Sequence, residues 1–266
     1  MVQDTTRRLA RALLVLAATS CSASQGPTEF NAAARFDAFW ETFDRTYSYF
    51  ALKHIDWNQA RAAYRDRAAA ATDYESLVGA LREMVAPMRD VHIWFRDPAG
   101  TSIATWQPPH FRNWDRTVWL SYVGANQWVQ QRSNWGHADF GGIPYLAFGA
   151  WNPSQVNIDT VDAVLNRFRD RPGLIIDVRM NGGGNDALAL QVAGRFTREP
   201  RLIEYVQFRD GPDHDDFTAL QPRYVQPRGP WQYEGRVVVL TGRGVFSSNE
   251  TFVSAFREFP KCHADR

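Results

Sequence analysis

A short apolar strand that passes through a glycine turn directly into a helix occurs twice in this sequence, and this pattern constrains the fold most. In one copy, a strand at 174–178 is followed by glycines 182–184 and a helix at 186–196. In the other, a strand at 236–241 turns into a helix that opens near Ser247. Strands that alternate with helices predict an α/β fold built on a mostly parallel sheet.

Ser247 stands at the strand-to-helix junction of the second copy. A hydroxyl at such a corner is lifted out of the packed sheet, beside the free N–H groups of the first helical turn. This position suits a serine nucleophile next to donors that stabilise an oxyanion. The same residues fit a purely structural pattern, because Ser247 and Glu250 form the Ser-x-x-Glu of a capping box. The glycines of the first copy leave backbone N–H groups free to bind an anion or oxyanion.

The run Asp-x-Arg-x-Asn-x-Gly-Gly, which begins at Asp177, and the later Ser-x-x-Glu at Ser247 together resemble the tail-specific (C-terminal processing) serine protease family. This family includes the tricorn core. Aromatic residues between Phe36 and Trp57, followed by the stretch at 88–95, look like the helical cap of its tricorn-like branch. That branch carries a catalytic histidine in an Asp-Gly-His element, and His92 stands at the corresponding position.

The resemblance implies a crotonase-like (ClpP/crotonase) core with an N-terminal helical cap. It implies an exported serine endopeptidase that hydrolyses peptide bonds through an acyl-enzyme, without a cofactor or metal. Ser247 would be the nucleophile and His92 the general base, while the N–H groups of Gly183 and Ser248 would hold the oxyanion. The expected substrates are unstructured or C-terminal peptide segments of proteins.

Three departures from the family pattern concern the base. The tricorn branch has a serine directly before the histidine to orient it, and Val91 cannot do so. The lysine base of the other branch, and the acid that completes the tricorn tetrad, would both lie beyond Arg266. We therefore expect a truncated chain that lacks the C-terminal part of the core, and its activity is an open question.

Two other functions are compatible with the sequence. One is an inactive, protease-like scaffold that binds extended peptides in the same cleft. The other is a dinucleotide-binding α/β enzyme, because Gly182 to Ala187 fit Gly-x-Gly-x-x-Ala and Glu204 follows at about the spacing, roughly 20 residues, of the ribose-binding acid. The charged residues between the strand and these glycines argue against the dinucleotide reading.

The amino terminus reads as a signal peptide of residues 1–23. Basic residues precede an apolar stretch at 12–18 that is too short to span a bilayer. Cys21 follows small residues, as in a bacterial lipoprotein cleavage box, and would carry lipid; cleavage after Ala23 to a soluble form is the alternative. Export to the bacterial periplasm, free or membrane-anchored, is predicted.

Beyond the signal peptide, a tether is predicted at 24–32, a helical cap at 33–97 and a protease-like α/β core at 98–266. Aromatic residues spaced three and four apart predict a first helix, Asp56 begins a second that runs through Ala71, and the box from Thr72 to Glu75 opens a third. Alternating runs at 118–123 and 143–148 predict strands.

Charge and cysteine content restrict the partners. The formal net charge is +1, so electrostatics favours neither nucleic acid nor another polyanion. Cys21 and Cys262 are the two cysteines, and the first would be lipidated or removed, so no internal disulfide is expected.

Overall fold

The computed structural model describes residues 30–108, 113–260 and 262–265. The predicted signal peptide, the lipidation candidate Cys21 and most of the predicted tether lie outside these residues. Three packed helices come first, and we call them the helical unit: α1 (Ala32–Thr46), α2 (Trp57–Ala69) and α3 (Tyr74–Val85).

Each helix of this unit is capped by an Asn or Asp. The side-chain oxygen of this residue accepts a hydrogen bond of 2.8–2.9 Å from the backbone N–H of the residue three positions later. The cap of α3 is Asp73, so the helix starts one residue later than the predicted box at Thr72. The interior of the unit is aromatic, with Phe36, Phe50 and Trp57 almost fully buried. The hairpin of β1 (Trp94–Arg96) and β2 (Ser102–Ala104) follows it.

A six-stranded sheet forms the centre of the remaining chain, in the order β10-β9-β6-β5-β4-β3. Its strands are β3 (Val129–Arg132), β4 (Trp135–Phe140), β5 (Ile143–Phe148), β6 (Gly173–Asp177), β9 (Arg236–Leu240) and β10 (Cys262–Asp265). The strands from β10 to β5 are parallel to one another, whereas β3 and β4 are antiparallel additions at one edge. The fold is therefore a mixed α/β fold, and its sheet is mostly parallel as predicted.

Helices cover both faces of this sheet. One face packs against α5 (Ile158–Arg167), α6 (Asp186–Ala193) and α7 (Ser248–Arg257), and the other packs against α4 (Arg116–Ala125). The strand predicted at 118–123 is wrong, because these residues lie in α4. Asp115 caps that helix, and Trp119 and Val123, one turn apart, are its buried residues. The apolar residues that suggested strand alternation are partly exposed side chains on its outer face.

A third sheet, two-stranded and antiparallel like the β1–β2 hairpin, consists of β7 (Arg201–Val206) and β8 (Gln221–Val225), outside the main sheet. The loop between these strands reaches back to the helical unit. In it, Arg209 donates to the carbonyl of Tyr47 at 2.8 Å, and a ring nitrogen of His214 lies 2.9 Å from the carboxylate of Asp44. The His214 ring also stacks on Phe50, with 4.3 Å between centroids. We call residues 209–217 the clasp, since they fasten the two parts of the chain together.

Candidate active site

The loops that follow β6 and β9 meet because these strands are parallel neighbours and end at the same edge of the sheet. The N–H of Val178 donates to the carbonyl of Leu240 at 3.0 Å, which continues the pairing just past the strands. The two predicted strand-glycine-helix corners are therefore adjacent, as the sequence analysis requires of an active site.

Asn249, a residue that the sequence analysis missed, locks the two corners together. Its side chain is fully buried; its amide donates to the carbonyls of Val178 and Asn181 at 3.2 and 3.1 Å. Its carbonyl oxygen accepts the indole N–H of Trp151 at 3.0 Å. The available signal was a carboxamide in the first turn of an otherwise apolar helix face. Because every polar group of this side chain is used, the start of α7 is held rigidly against the glycine loop.

Ser247 is the last residue before α7 and has φ +57° and ψ −134°, a conformation that non-glycine residues rarely adopt. Such a backbone costs on the order of 1–3 kcal/mol and persists where the surroundings impose it. A capping box joins Ser247 to Glu250, and its N–H donates to the Glu250 carboxylate at 2.8 Å. The capping box and the strained corner occur at the same residue, so both patterns seen in the sequence coexist.

Gly183 lies directly against this corner. Its φ is +103°, and a Cβ added there would stand 2.8 Å from the Phe246 carbonyl oxygen and 2.8 Å from Ser247 Cβ. A side chain could not be accommodated at this position without displacing the corner. The close approach explains why glycine is needed here, whereas Gly182 faces open space.

The two predicted oxyanion donors differ in their present hydrogen bonding. The N–H of Gly183 donates to the side-chain oxygen of Asn181 at 2.8 Å. The N–H of Ser248 has no acceptor among the described residues and opens the first turn of α7, where unpaired donors are expected. The Ser248 hydroxyl is buried without a partner in the described part of the chain.

The Asp-x-Arg motif beside the glycine loop has a structural role. Asp177 is fully buried, and Arg179 donates to its carboxylate from the backbone N–H, Nε and Nη2 at 2.7–3.0 Å. The hydroxyl of Tyr145 donates to the same carboxylate at 2.5 Å. Burial, followed by the charge of Asp177, raises the pKa of Tyr145 far above its usual range. This network fixes the end of β6, from which the glycine loop departs.

His92 lies beside the nucleophile corner although it belongs to a distant part of the sequence. Its ring contacts that of Phe246, the residue before Ser247, with 4.1 Å between centroids. Its side chain is 52% exposed, so the ring is not enclosed by the helical unit. A lone histidine between apolar neighbours is more often a packing residue than a base, and the exposure of this ring argues against a packing role.

Asp90 provides the carboxylate that the sequence analysis did not find for this histidine. One of its oxygens accepts the backbone N–H of His92 at 2.9 Å and lies 3.4 Å from the ring Nδ1. The other accepts the hydroxyl of Tyr47 at 2.8 Å. Burial and then this hydrogen bond raise the pKa of Tyr47, which therefore stays a donor. Asp90 itself is only 10% exposed, so it is held between the two groups.

Neither a metal nor a dinucleotide fits this arrangement well. In the described residues, no group of three or more His, Cys, Asp or Glu side chains could hold a metal ion. Glu204, the acid proposed for a ribose, pairs instead with Arg223 at 3.0 Å. A Cβ at Gly184 would overlap the Trp151 carbonyl, so the last glycine packs on protein backbone.

The helices of the described ranges include none long and apolar enough to cross a membrane.

An α/β sheet whose strand ends carry a strained serine, a glycine loop and a nearby histidine is the arrangement of a hydrolase. Comparison with known families narrows this class. Residues 142–261 match Peptidase family S41, and residues 31–86 match the Tricorn protease C1 domain. These matches identify a peptidase domain of family S41 at 142–261 and support the resemblance to the tail-specific proteases.

Solved structures agree with this assignment. A crystal structure of a proposed peptidase from Parabacteroides merdae is 26% identical, with a TM-score of 0.78, and the match covers 88% of this chain and 75% of that one. Mature CPAF, at 9% identity, has a TM-score of 0.61 over 88% and 82% of the two chains. A lipoprotein from Streptococcus agalactiae, at 10% identity, has a TM-score of 0.54 over 88% and 75%. At these low identities, CPAF and the lipoprotein show a similar fold and nothing further. A comparison with curated proteins gives no match.

Proposed function

We propose that this chain is an exported serine endopeptidase with Ser247 as its nucleophile. The observation that supports this most strongly is the strained backbone of Ser247 at a strand-to-helix corner, where Gly183 packs against it and the preceding residue, Phe246, contacts the ring of His92. Strain of this kind is typical of catalytic serines on such turns. The fold supports the finer assignment of a crotonase-like core capped by the helical unit.

In the proposed reaction, Ser247 Oγ attacks the carbonyl carbon of a peptide bond while His92 accepts its proton. His92 then gives that proton to the leaving amine as the carbon–nitrogen bond breaks, and an acyl-enzyme remains. Water, deprotonated by His92, hydrolyses the ester and restores the hydroxyl. The substrates are unstructured or C-terminal peptide segments, because only an extended chain can enter a cleft between loops.

The oxyanion would form beside the first turn of α7. The free N–H of Ser248 is the donor that is ready to bind it, and the helix N-terminus adds a favourable dipole. The N–H of Gly183 would become the second donor on exchanging its bond to Asn181 for one to the oxyanion. Removal of one such donor costs roughly 100-fold to 1,000-fold in other serine hydrolases.

Export is part of the proposal and depends on residues 1–23. Their basic start and short apolar stretch support a signal peptide, and Cys21 supports a lipid anchor on the periplasmic side of the membrane. Expression of the full chain in a bacterium, with fractionation and mass spectrometry of the mature amino terminus, distinguishes a lipidated Cys21 from cleavage after Ala23.

A fluorophosphonate probe tests the nucleophile directly. We expect the probe to label Ser247, and Ser247→Ala to abolish both labelling and cleavage of an unstructured peptide. Ser248→Ala is the matched control, since it removes a neighbouring hydroxyl but keeps the backbone N–H. Labelling that persists in Ser247→Ala would refute Ser247 as the nucleophile, whereas a folded wild-type protein that is inert to the probe yet binds peptides would refute hydrolysis and support the scaffold.

A further inference from the structure

An open aromatic groove of about 780 Å³ is lined by residues of α1, by the segment that follows it and by residues 90–96, which include His92. Its volume lies within the range, about 300–1,000 Å³, that is typical of ligand sites. The residues that define it are Phe39, Phe43, Tyr49, His92, Trp94 and Phe95.

The floor of this groove is a packed aromatic layer. Phe39 contacts Phe43 and Phe95 with centroid separations of 4.6 and 5.6 Å, and all three rings are partly buried against the core of the helical unit. Tyr49 and Trp94 rise from this floor and are 48% and 49% exposed. Large aromatic side chains that remain exposed around a concave surface mark a site for apolar ligands.

The groove shares His92 with the candidate active site. His92 is one of its lining residues, and the same ring lies against Phe246, one residue before Ser247. A ligand in the groove therefore lies beside the proposed general base. An extended peptide can occupy the groove and also extend towards Ser247, whereas a compact small molecule would occupy the groove alone.

The charges in the groove favour an uncharged side chain. Asp90 lies in it, but its carboxylate is 10% exposed and engaged by Tyr47 and His92. Arg96 is an exposed lining residue and would repel a basic side chain. We propose that the groove is a specificity subsite that binds an aromatic or large aliphatic side chain of an extended peptide substrate, near the bond that is cleaved. This inference rests on the proposed peptidase function.

Binding to the inert Ser247→Ala variant tests the subsite without turnover. The probes are two fluorescein-labelled decapeptides of Gly, Ser and Ala that differ only in one central residue, Phe or Ser. By fluorescence anisotropy the Phe peptide should bind about 10-fold to 100-fold more tightly, as burial of one phenyl ring predicts. Adding Trp94→Ala or Tyr49→Ala should reduce this ratio to below about 3-fold.

Tyr224→Ala is the matched control, because this tyrosine is 44% exposed on β8 and is not among the residues that line the groove. It should leave the ratio unchanged. Mass spectrometry of wild-type digests should then find the cut at a constant distance from the Phe as this residue is moved along the peptide. Equal binding of both peptides, or a Phe preference that survives Trp94→Ala and Tyr49→Ala together, overturns the subsite. A Phe preference without cleavage by the wild type supports the subsite and refutes hydrolysis instead.

Discussion

Asp90→Asn should impair His92 without disturbing the fold. In the wild type, the Asp90 carboxylate lies 3.4 Å from Nδ1 of His92 and so favours the tautomer with the proton on Nδ1. That tautomer leaves Nε2 free to accept the proton of Ser247. An amide at position 90 is neutral and keeps only one acceptor oxygen, so the preference for this tautomer is weakened. When that oxygen accepts the backbone N–H of His92, the amide NH2 group faces the hydroxyl of Tyr47, which can accept a hydrogen bond from it.

The size of the effect follows from the geometry. A hydrogen bond to a charged group contributes roughly 1.5–3 kcal/mol when it is well made and shielded. The separation here is long and the His92 side chain is 52% exposed, so water screens the interaction and about 1–2 kcal/mol is a reasonable value. We therefore expect kcat/KM to fall by about 5-fold to 30-fold. The corresponding loss in a buried serine triad is about 10⁴-fold.

Two measurements check this prediction. Nitrogen-15 NMR of the His92 ring at high pH reports the tautomer directly, and Asp90→Asn should shift the population toward the proton on Nε2. Peptide hydrolysis gives kcat and KM, and the loss should appear in kcat. Tyr47→Phe should cause a smaller loss of kcat, since Asp90 keeps its charge but loses the hydrogen bond from the Tyr47 hydroxyl.

Asp170→Asn serves as the control, because this carboxylate is 97% exposed. It should alter neither the His92 tautomer nor the rate. If Asp90→Asn leaves both the tautomer population and kcat/KM at wild-type values, Asp90 does not position His92 and the reasoning is refuted.

Three further predictions concern stability. Gly183→Ala should lower the free energy of unfolding by about 2–4 kcal/mol, because the added Cβ would clash at φ +103°. Gly182→Ala, where a Cβ meets open space, should change it by less than about 1 kcal/mol. Urea titrations of the two variants measure this difference. Burial lowers the pKa of His137 in the folded protein, so the unfolded chain binds more protons as the pH falls. The free energy of unfolding should therefore decrease below about pH 6.5. His137→Phe should remove this pH dependence. Burial would raise the pKa of Asp162, but hydrogen bonds from two arginines outweigh it and lower the value to about 2. Its stabilisation should therefore be complete above about pH 4 and lost toward pH 2, and Asp162→Asn should abolish about 1–2 kcal/mol of this acid dependence in the same titrations.

The features that the sequence predicts well are those encoded within one short segment. Strand, glycine loop and helix follow one another around Gly183 and again around Ser247, so local periodicity was sufficient to predict these two corners. That the two corners meet follows from the parallel pairing of β6 and β9, which alternating elements predict.

The features that the sequence analysis missed depend on contacts between distant segments. Tyr47 and Asp90 are 43 residues apart, and neither has a local pattern that indicates the other. The strand predicted at 118–123 failed because the alternation of Val118 and its neighbours reflects an exposed helix face, and only the position of α4 on the sheet decides this. The paired sheet of β7 and β8 is likewise set by tertiary contacts.

The clasp has a consequence for control of the enzyme. Ser247 and His92 are carried by separate parts of the chain, and non-covalent contacts such as those of Arg209 and His214 join them. Catalytic competence is then proportional to the fraction of molecules in which the parts are closed. If weakening the clasp made the open form more stable than the closed form, each further 1.4 kcal/mol that favours the open form would reduce the fraction of closed molecules about tenfold. Under the proposed function, the rate of peptide cleavage would report the fraction of closed molecules, and a ligand that binds both parts would raise that rate wherever the open form is populated.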